Sequence, residues 1–335
     1  MARAEGLALA AIVVGFCIPV FSAAARGAGP VRPVPVIFDT DIGDDIDDMW
    51  ALAFILKSPE LDLKLAVGDN GNAAYRARIL AKFLERAGRT DVAVGLGLRP
   101  EDKGGRQAEW TRGYDLKSYP GKVYADGVQA LVDAIMNSPE PVTLVATGPI
   151  QNVAAALARE PRIAQKARFV GMHGSVRRGY NGAPQIAAEY NVKVAPAACE
   201  KAFTAAWEVT ITPLDTCDLV HLAGAKYAAV RDSKDPVAIA LMENYAIWSE
   251  VSKRKELSEA KSTTLFDTVA AYLAFSEDLL KMEKLGIRVA ADGRTLIDPA
   301  AKVLNVATEW RDMAAFEDLL VKRLTGSTVP ARTDK

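Results

Sequence analysis

Short apolar runs alternate with segments of helical spacing along most of this chain. Residues 34–38 are apolar and β-prone and predict a strand; residues 47–57 have helical spacing and stop before Ser58 and Pro59. A second strand is expected at 61–67, a helix at about 72–87 ending at Gly88, and a short third strand at 92–94. Residues 97–122 then break the pattern with glycines, charges and the isolated aromatics Trp110, Tyr114 and Tyr119. A long excursion of this kind is expected to serve as a lid or binding loop, with Trp110 and Tyr114 either stacking a ligand ring or packing locally. Alternation resumes with a helix at 126–137, a strand at 142–146, a helix at 150–158 and a strand at 168–172. A Gly/Asn-rich loop to 189, a helix at 196–206 and a strand at 208–211 follow, then mainly helix over 236–275, short β-like runs, and a closing helix at about 311–324. This order predicts an α/β fold: one open, mostly parallel sheet with helices on both faces, in a single large domain over 34–330. Ligands of such sheets bind at the carboxyl ends of the strands.

Composition changes little of this picture. The chain has 335 residues, half of them hydrophobic, and a net charge of -1, which argues against nucleic acid or an anionic membrane as partner. With only His173 and His221 present, a histidine base has few places to act. The first residues read as an export signal. Arg3 precedes an apolar stretch from 7 to 21 that Pro19 interrupts, and Ala23, Ala24 and Ala25 supply the small residues a signal peptidase needs. We therefore expect a signal peptide over 1–25, a Gly/Pro-rich linker over 26–33 and an exported protein, periplasmic or secreted. A membrane anchor would need a longer apolar span, so no stable insertion is expected after cleavage. Cys17 follows the bulky Phe16, which disfavours lipidation. Cys199 and Cys217 are read first as buried thiols and second as a disulfide.

The candidate chemistry lies where the first strand ends. Six of the ten residues from Asp39 to Asp48 are aspartates, and no Lys or Arg lies among them. Carboxylates a few ångströms apart raise one another's pKa, and a bound cation reverses that pressure. A helix N-terminus would account for Asp47 or Asp48 alone, but not for Asp41 aimed at the same space. A divalent-cation site with oxygen ligands is the better reading. Two later segments have matching geometry: Thr147 ends the strand at 142–146 with a free carbonyl, and Asp267 opens an apolar helical run.

These residues carry a resemblance. The run from Val36 to Gly43, followed by Asp47-Asp48-Met49-Trp50-Ala51-Leu52, is similar to the aspartate signature of the inosine–uridine-type nucleoside hydrolases. The likeness continues in order through Gly71-Asn72, Ala146-Thr147-Gly148-Pro149, Met172-His173-Gly174, Glu189-Tyr190-Asn191 and Phe266-Asp267. It covers about residues 34–275. The resemblance implies one Ca²⁺ held by Asp41, Asp48, the Thr147 carbonyl and Asp267, with the ribose hydroxyls and a water completing the shell. It implies that Asp47, Asn72, Glu189 and Asn191 hold the sugar, and that Asp41 is the general base for water attack on C1′. The implied substrate is a nucleoside or related ribosyl compound, cleaved to ribose and free base, and the implied assembly is a dimer or tetramer. Asp39 is expected to shape the turn and Asp44 to be solvated, with Asp45 undecided.

The chain departs from the family pattern in two places. Three residues separate Gly43 from the Asp47-Asp48 pair, where the best-known form has one, and Phe266 stands where many purine-using members place a histidine acid. A pocket-wall or structural role is favoured for His173 over an acid role. Two alternatives follow: an exported nucleoside- or sugar-binding protein without turnover, and a haloacid-dehalogenase-type phosphatase with Asp39 as nucleophile and Mg²⁺ as metal. The phosphatase reading leaves Asp47 and Asp48 without a task.

Overall fold

The strand at the head of the aspartate run becomes the middle of the sheet. In a computed structural model, which describes Met1, residues 32–99 and residues 104–326, β1 is Val34–Thr40. The expected signal segment and nearly all of the linker lie outside the described residues, as does the end of the expected domain beyond 326. The further strands are β2 Leu61–Gly68, β3 Ala93–Gly95, β4 Val123–Tyr124, β5 Val142–Ala146, β6 Ala167–Met172, β7 Val209–Thr212, β8 Leu280–Val289, β9 Thr295–Ile297 and β10 Val303–Trp310. Their order across the sheet is β4-β3-β2-β1-β5-β6-β7-β10-β8-β9. All neighbours from β4 to β10 pair in parallel, and the β10–β8 and β8–β9 pairs are antiparallel. The described residues from Pro33 onward form one unit. The expected mostly parallel α/β sheet is therefore the fold.

Alternation within β1 shows how the sheet is covered. Val36 and Phe38 are buried in the core on one face, while Ile37 is buried in the core on the other. A parallel strand buried on both faces reads as an unbroken apolar run, which is why residues 34–38 carry no polar position. The helix Asp47–Lys57 is likewise buried along its whole length, so it has no polar stripe. It packs against the helix Phe266–Leu273. Both helices start at the same end of the sheet.

Chain order reverses at β1. Strands β2 to β4 extend to one side of it, and β5 to β7 extend to the other. Ligands of open α/β sheets bind in the crevice that such a reversal opens at the carboxyl ends of the strands. Here that crevice lies between the ends of β1 and β5, where Asp39 is opposite Ala146 and the Thr147 N–H donates to the Asp39 carbonyl at 2.9 Å. Gly148 permits this approach: a Cβ there would sit 3.0 Å from the Asp41 nitrogen.

The helix ends and strands differ from expectation by a residue or two at most sites. Short elements that were not anticipated include β4 and the helices Tyr190–Val194, Leu214–Cys217 and Gly224–Arg231. Trp110 and Tyr114 take the local-packing role. Trp110 is buried near Phe83 with Lys82 over its ring, and Tyr114 donates its hydroxyl to Glu85 at 2.6 Å. Cys199 and Cys217 are both buried free thiols. No helix among the described residues is long and apolar enough to cross a membrane.

Candidate active site

A cavity of about 550 Å³ opens at the β1–β5 crevice. Its floor is buried and consists mainly of Asp41, Asp47, Asp48, Thr147, Asn191 and Asp267; Glu189 and Met172 also line it. Asp44, Asp45, Arg106, Tyr180, Tyr190 and Phe266 form the less buried rim. Seven of the eight residues expected to bind metal or sugar thus meet in one place. Asn72 does not line the cavity; it precedes the helix Ala73–Arg86 in a left-handed conformation, φ 41°.

Two helix starts deliver the carboxylates. Asp47 and Asp48 occupy the first turn of Asp47–Lys57, and Asp267 the first turn of Phe266–Leu273. Unpaired N–H groups and the helix dipole favour negative charge there. Oxygens of Asp47, Asp48 and Asp267 lie within 4.8 Å of one another, close enough to share one metal ion. Asp41 lines the same cavity outside that triad.

Burial pushes all four carboxyls upward. Asp41 is raised well above the ordinary carboxylate range by burial and then by repulsion from Asp48. Asp47 is raised by burial and then by Asp45 and Asp48; Asp267 is raised by burial and then by Asp47 and Asp48. Asp48 rises less, to about 6, because the hydroxyls of Thr40 and Thr147 donate to it, the latter at 2.8 Å. Oxygen-only donors, crowded and buried, suit a hard divalent cation, whose charge would draw these groups back into their ionised forms.

Asn191 and Glu189 line the cavity beside these carboxylates. The Asn191 amide donates to the carbonyls of Thr147 at 2.9 Å and Met172 at 3.0 Å. A carbonyl oxygen has two lone pairs, so the Thr147 carbonyl retains acceptor capacity toward a cation. Glu189 caps the helix Tyr190–Val194, accepting from the N–H groups of Asn191 (2.8 Å) and Val192 (3.3 Å), and from Gly174 at 2.9 Å. Burial nevertheless raises its carboxyl to about 7.

The sequence reading missed what keeps the aspartate loop in shape. Arg76, fully buried, donates to the carbonyls of Asp41 and Ile42 and pairs with the Asp44 carboxylate at 2.8 Å. Asp44 is therefore an ion-pair partner with half its side chain exposed, which corrects the expectation of a simply solvated group. Tyr75 donates to the Gly43 carbonyl at 2.9 Å, Trp248 to that of Asp44 at 2.9 Å and Gln107 to that of Asp45 at 2.7 Å. Five consecutive carbonyls are each held by a side chain. Arg76 shares a helix face with the buried Ala73, Leu80 and Phe83, but a single arginine at helical spacing does not by itself reveal the carbonyls it will meet.

Other expected residues take supporting places. Asp39 is fully buried and accepts from the Asn152 amide at 2.9 Å. Asp45 accepts from the Ile46 N–H at 2.7 Å and stays on the rim. His173 is fully buried outside the cavity, with Nε2 3.0 Å from the Gly148 carbonyl, and burial lowers its pKa to about 4. It is a neutral residue of the core. Phe266 lines the rim and meets Tyr180 edge-to-face at 6.5 Å.

The fold and this carboxylate-floored crevice define a class before any name does. Solved nucleoside hydrolases share the architecture. A plant nucleoside hydrolase, PpNRh1, aligns with TM-score 0.74 at 23% identity, covering 88% of this chain and all of that one. A purine-preferring ribonucleoside hydrolase from Gardnerella vaginalis aligns with TM-score 0.70 at 24% identity, covering 87% of this chain and 98% of its own. In sequence, residues 36–318 match the family described as inosine-uridine preferring nucleoside hydrolase. The chain belongs to that family, whose members are N-glycosyl hydrolases. The protein named pyrimidine-specific ribonucleoside hydrolase RihA from Enterobacter sp. (strain 638) is 33% identical over 310 residues, 87% of this chain and 97% of that protein. Its namesake from Citrobacter koseri is 29% identical over 314 residues, with 87% and 98% covered.

Proposed function

We propose that this protein hydrolyses the N-glycosidic bond of nucleosides, releasing ribose and the free base, with Ca²⁺ held by Asp41, Asp48, the Thr147 carbonyl and Asp267. The observation that carries the reading is the meeting of four buried carboxylates from two helix starts and a strand end on one cavity floor. When bound there, the cation supplies positive charge against the ribose hydroxyls and the attacking water, and binding it favours the ionised carboxylates.

The protein's own groups then divide the work. Asp41, ionised, accepts the proton of the water that attacks C1′. Asp47 accepts from a ribose hydroxyl, and Asn191 and Glu189 brace the wall against which the sugar rests. The C1′–N bond breaks ahead of water attack, and the surrounding carboxylates favour the positive charge that grows on the ribose. Fixing both hydroxyls orients C1′ toward the water, which removes much of the entropic barrier. Asn72, expected to hold the sugar, precedes the helix Ala73–Arg86 and is not among the residues that line the cavity.

The exported location and a dimeric or tetrameric assembly are part of the same proposal. Both rest on the reading of the N-terminal segment and on the family resemblance. The test is incubation of the mature chain with a nucleoside panel and Ca²⁺, followed by chromatography for free base. Relatives named pyrimidine-specific put uridine and cytidine first in that panel. Release of base that stops with chelator supports the proposal. Tight binding with the nucleoside intact would make the protein a binding module.

A further inference from the structure

The carboxylate-rich cavity has one cation among its described lining residues, Arg106, facing a wall that includes seven acidic side chains. Its backbone is held on both sides. Gly105 packs so closely on the aspartate loop that a Cβ would lie 2.9 Å from the Gly43 carbonyl oxygen and 2.9 Å from the Tyr75 ring. Gln107 is fully buried: its N–H donates to the Tyr75 hydroxyl at 3.0 Å, its amide donates to the Asp45 carbonyl at 2.7 Å, and its side-chain oxygen accepts from Asn244 at 2.7 Å. Arg106 is the exposed residue between these two anchors, so its guanidinium is carried to the rim by buried contacts.

Cleavage leaves the bonding electron pair on the base, and the usual proton donors are missing from this rim. Phe266 has no proton to give. His173 is buried outside the cavity and bonded to Gly148, and Glu189 already accepts three backbone N–H groups.

We propose that Arg106 stabilises the negative charge that develops on the departing base, a role that rests on the hydrolase reading above. A guanidinium keeps its protons at all working pH values, so it acts by charge and hydrogen bonding and not by proton transfer. In the balanced step the C1′–N pair passes to the base nitrogen, and water gives hydroxide to C1′ and a proton to Asp41. The base anion, paired with Arg106, takes its proton from solvent. Tyr180 and Tyr190 are the rival donors on the rim; the Tyr180 hydroxyl accepts from the Tyr190 N–H at 2.9 Å, the Tyr190 hydroxyl accepts from the Asn70 amide at 3.5 Å, and each keeps its own proton to donate.

The experiment compares kcat/KM of the wild type, R106Q, R106K, Y180F and Y190F, each loaded with Ca²⁺, on uridine and on p-nitrophenyl β-D-ribofuranoside. The phenolate of the second substrate leaves with far less help than a pyrimidine anion. R106Q is expected to lose about 10²–10³-fold on uridine, as for removal of one charge-stabilising donor, and at least about tenfold less on the aryl riboside. R106K should regain part of the loss. Thermal melts at the wild-type temperature confirm that the fold is kept. Equal losses on both substrates, no loss on uridine, or a substrate-dependent loss in Y180F or Y190F but not in R106Q would overturn the assignment while leaving the hydrolase reading intact. A wild type that cleaves neither substrate would overturn both.

Discussion

Arg76 lies beneath Asp41, donating from Nη1 to its main-chain carbonyl while Nη2 reaches the Asp44 carboxylate at 2.8 Å. The positive charge that the aspartate run lacks in sequence is thus supplied by the next helix. It also draws Asp41 and Asp48 toward their ionised forms, against the larger effect of burial.

Arg76→Met should therefore cost about 3–5 kcal/mol, as expected when one partner of a buried charged network is removed. Urea unfolding of the metal-free protein measures this. A loss below about 1 kcal/mol, the size of an ordinary surface ion pair, would mean that the loop holds its shape without Arg76.

Asp41→Asn removes the proposed base and leaves the fold. We expect kcat to fall by about 10²–10⁴-fold, the range for a general base, with an unchanged circular dichroism spectrum. Wild-type kcat in this variant would sink the assigned mechanism.

Metal content tests the floor of the cavity. The purified chain should bind about one Ca²⁺ by calorimetry, and Asp267→Asn should weaken that binding strongly while Asp44→Asn, at the rim, should not. Full-strength binding by Asp267→Asn would exclude the triad from the site.

The raised carboxyls make the metal-free protein sensitive to alkali. A carboxyl whose folded pKa is raised binds its proton more tightly in the native state than in the unfolded one, so stability falls as pH rises toward the folded value. Glu189, at about 7, loses its contribution between the usual carboxylate range and that value; Asp41, Asp47 and Asp267 act in the same direction. His173 works oppositely between about 4 and 6.5. The raised carboxyls outnumber the single imidazole, so the melting temperature of chelator-treated protein should drop as pH rises from about 5 to about 7, the window that Asp48 and Glu189 set. Saturating Ca²⁺ should flatten that slope, because the ion takes the place of the protons. A metal-free melting temperature that rises over this range would contradict the burial of these groups.

Trp110 and Tyr180 separate packing from binding. Trp110→Ala should cost about 3–5 kcal/mol of stability, as for truncation of a buried aromatic, with KM unchanged in the folded fraction. Tyr180→Ala, on the rim, should raise KM with little effect on melting. The reverse pattern would place the ligand ring on the excursion after all.

The alternating pattern announced the sheet clearly, because parallel strands buried on both faces leave long apolar runs that few other structures produce. The helix at Asp47–Lys57 and the strand at Val142–Ala146 were legible to the residue. Short elements such as β4 and Leu214–Cys217 were not, since a stretch of 2 or 4 residues shows no period and exists only through its neighbours. Asp41, Asp47 and Asp48 stood out by density, whereas Arg76 and Gln107 did not. Each is a single polar residue whose burial cannot be seen until its partners are in place.

Sequence by itself determined the fold class, the cation-seeking character of the aspartate run and the residues that stand at strand ends and helix starts. These follow from local periodicity and from repulsion between neighbours in the chain. Tertiary structure alone decided which acids share a space, that Asp44 has a partner, that Asn72 stays off the cavity wall and that Arg106 reaches it. Those outcomes depend on contacts between segments distant in the chain, such as Gln107 with Asn244, which no local pattern encodes.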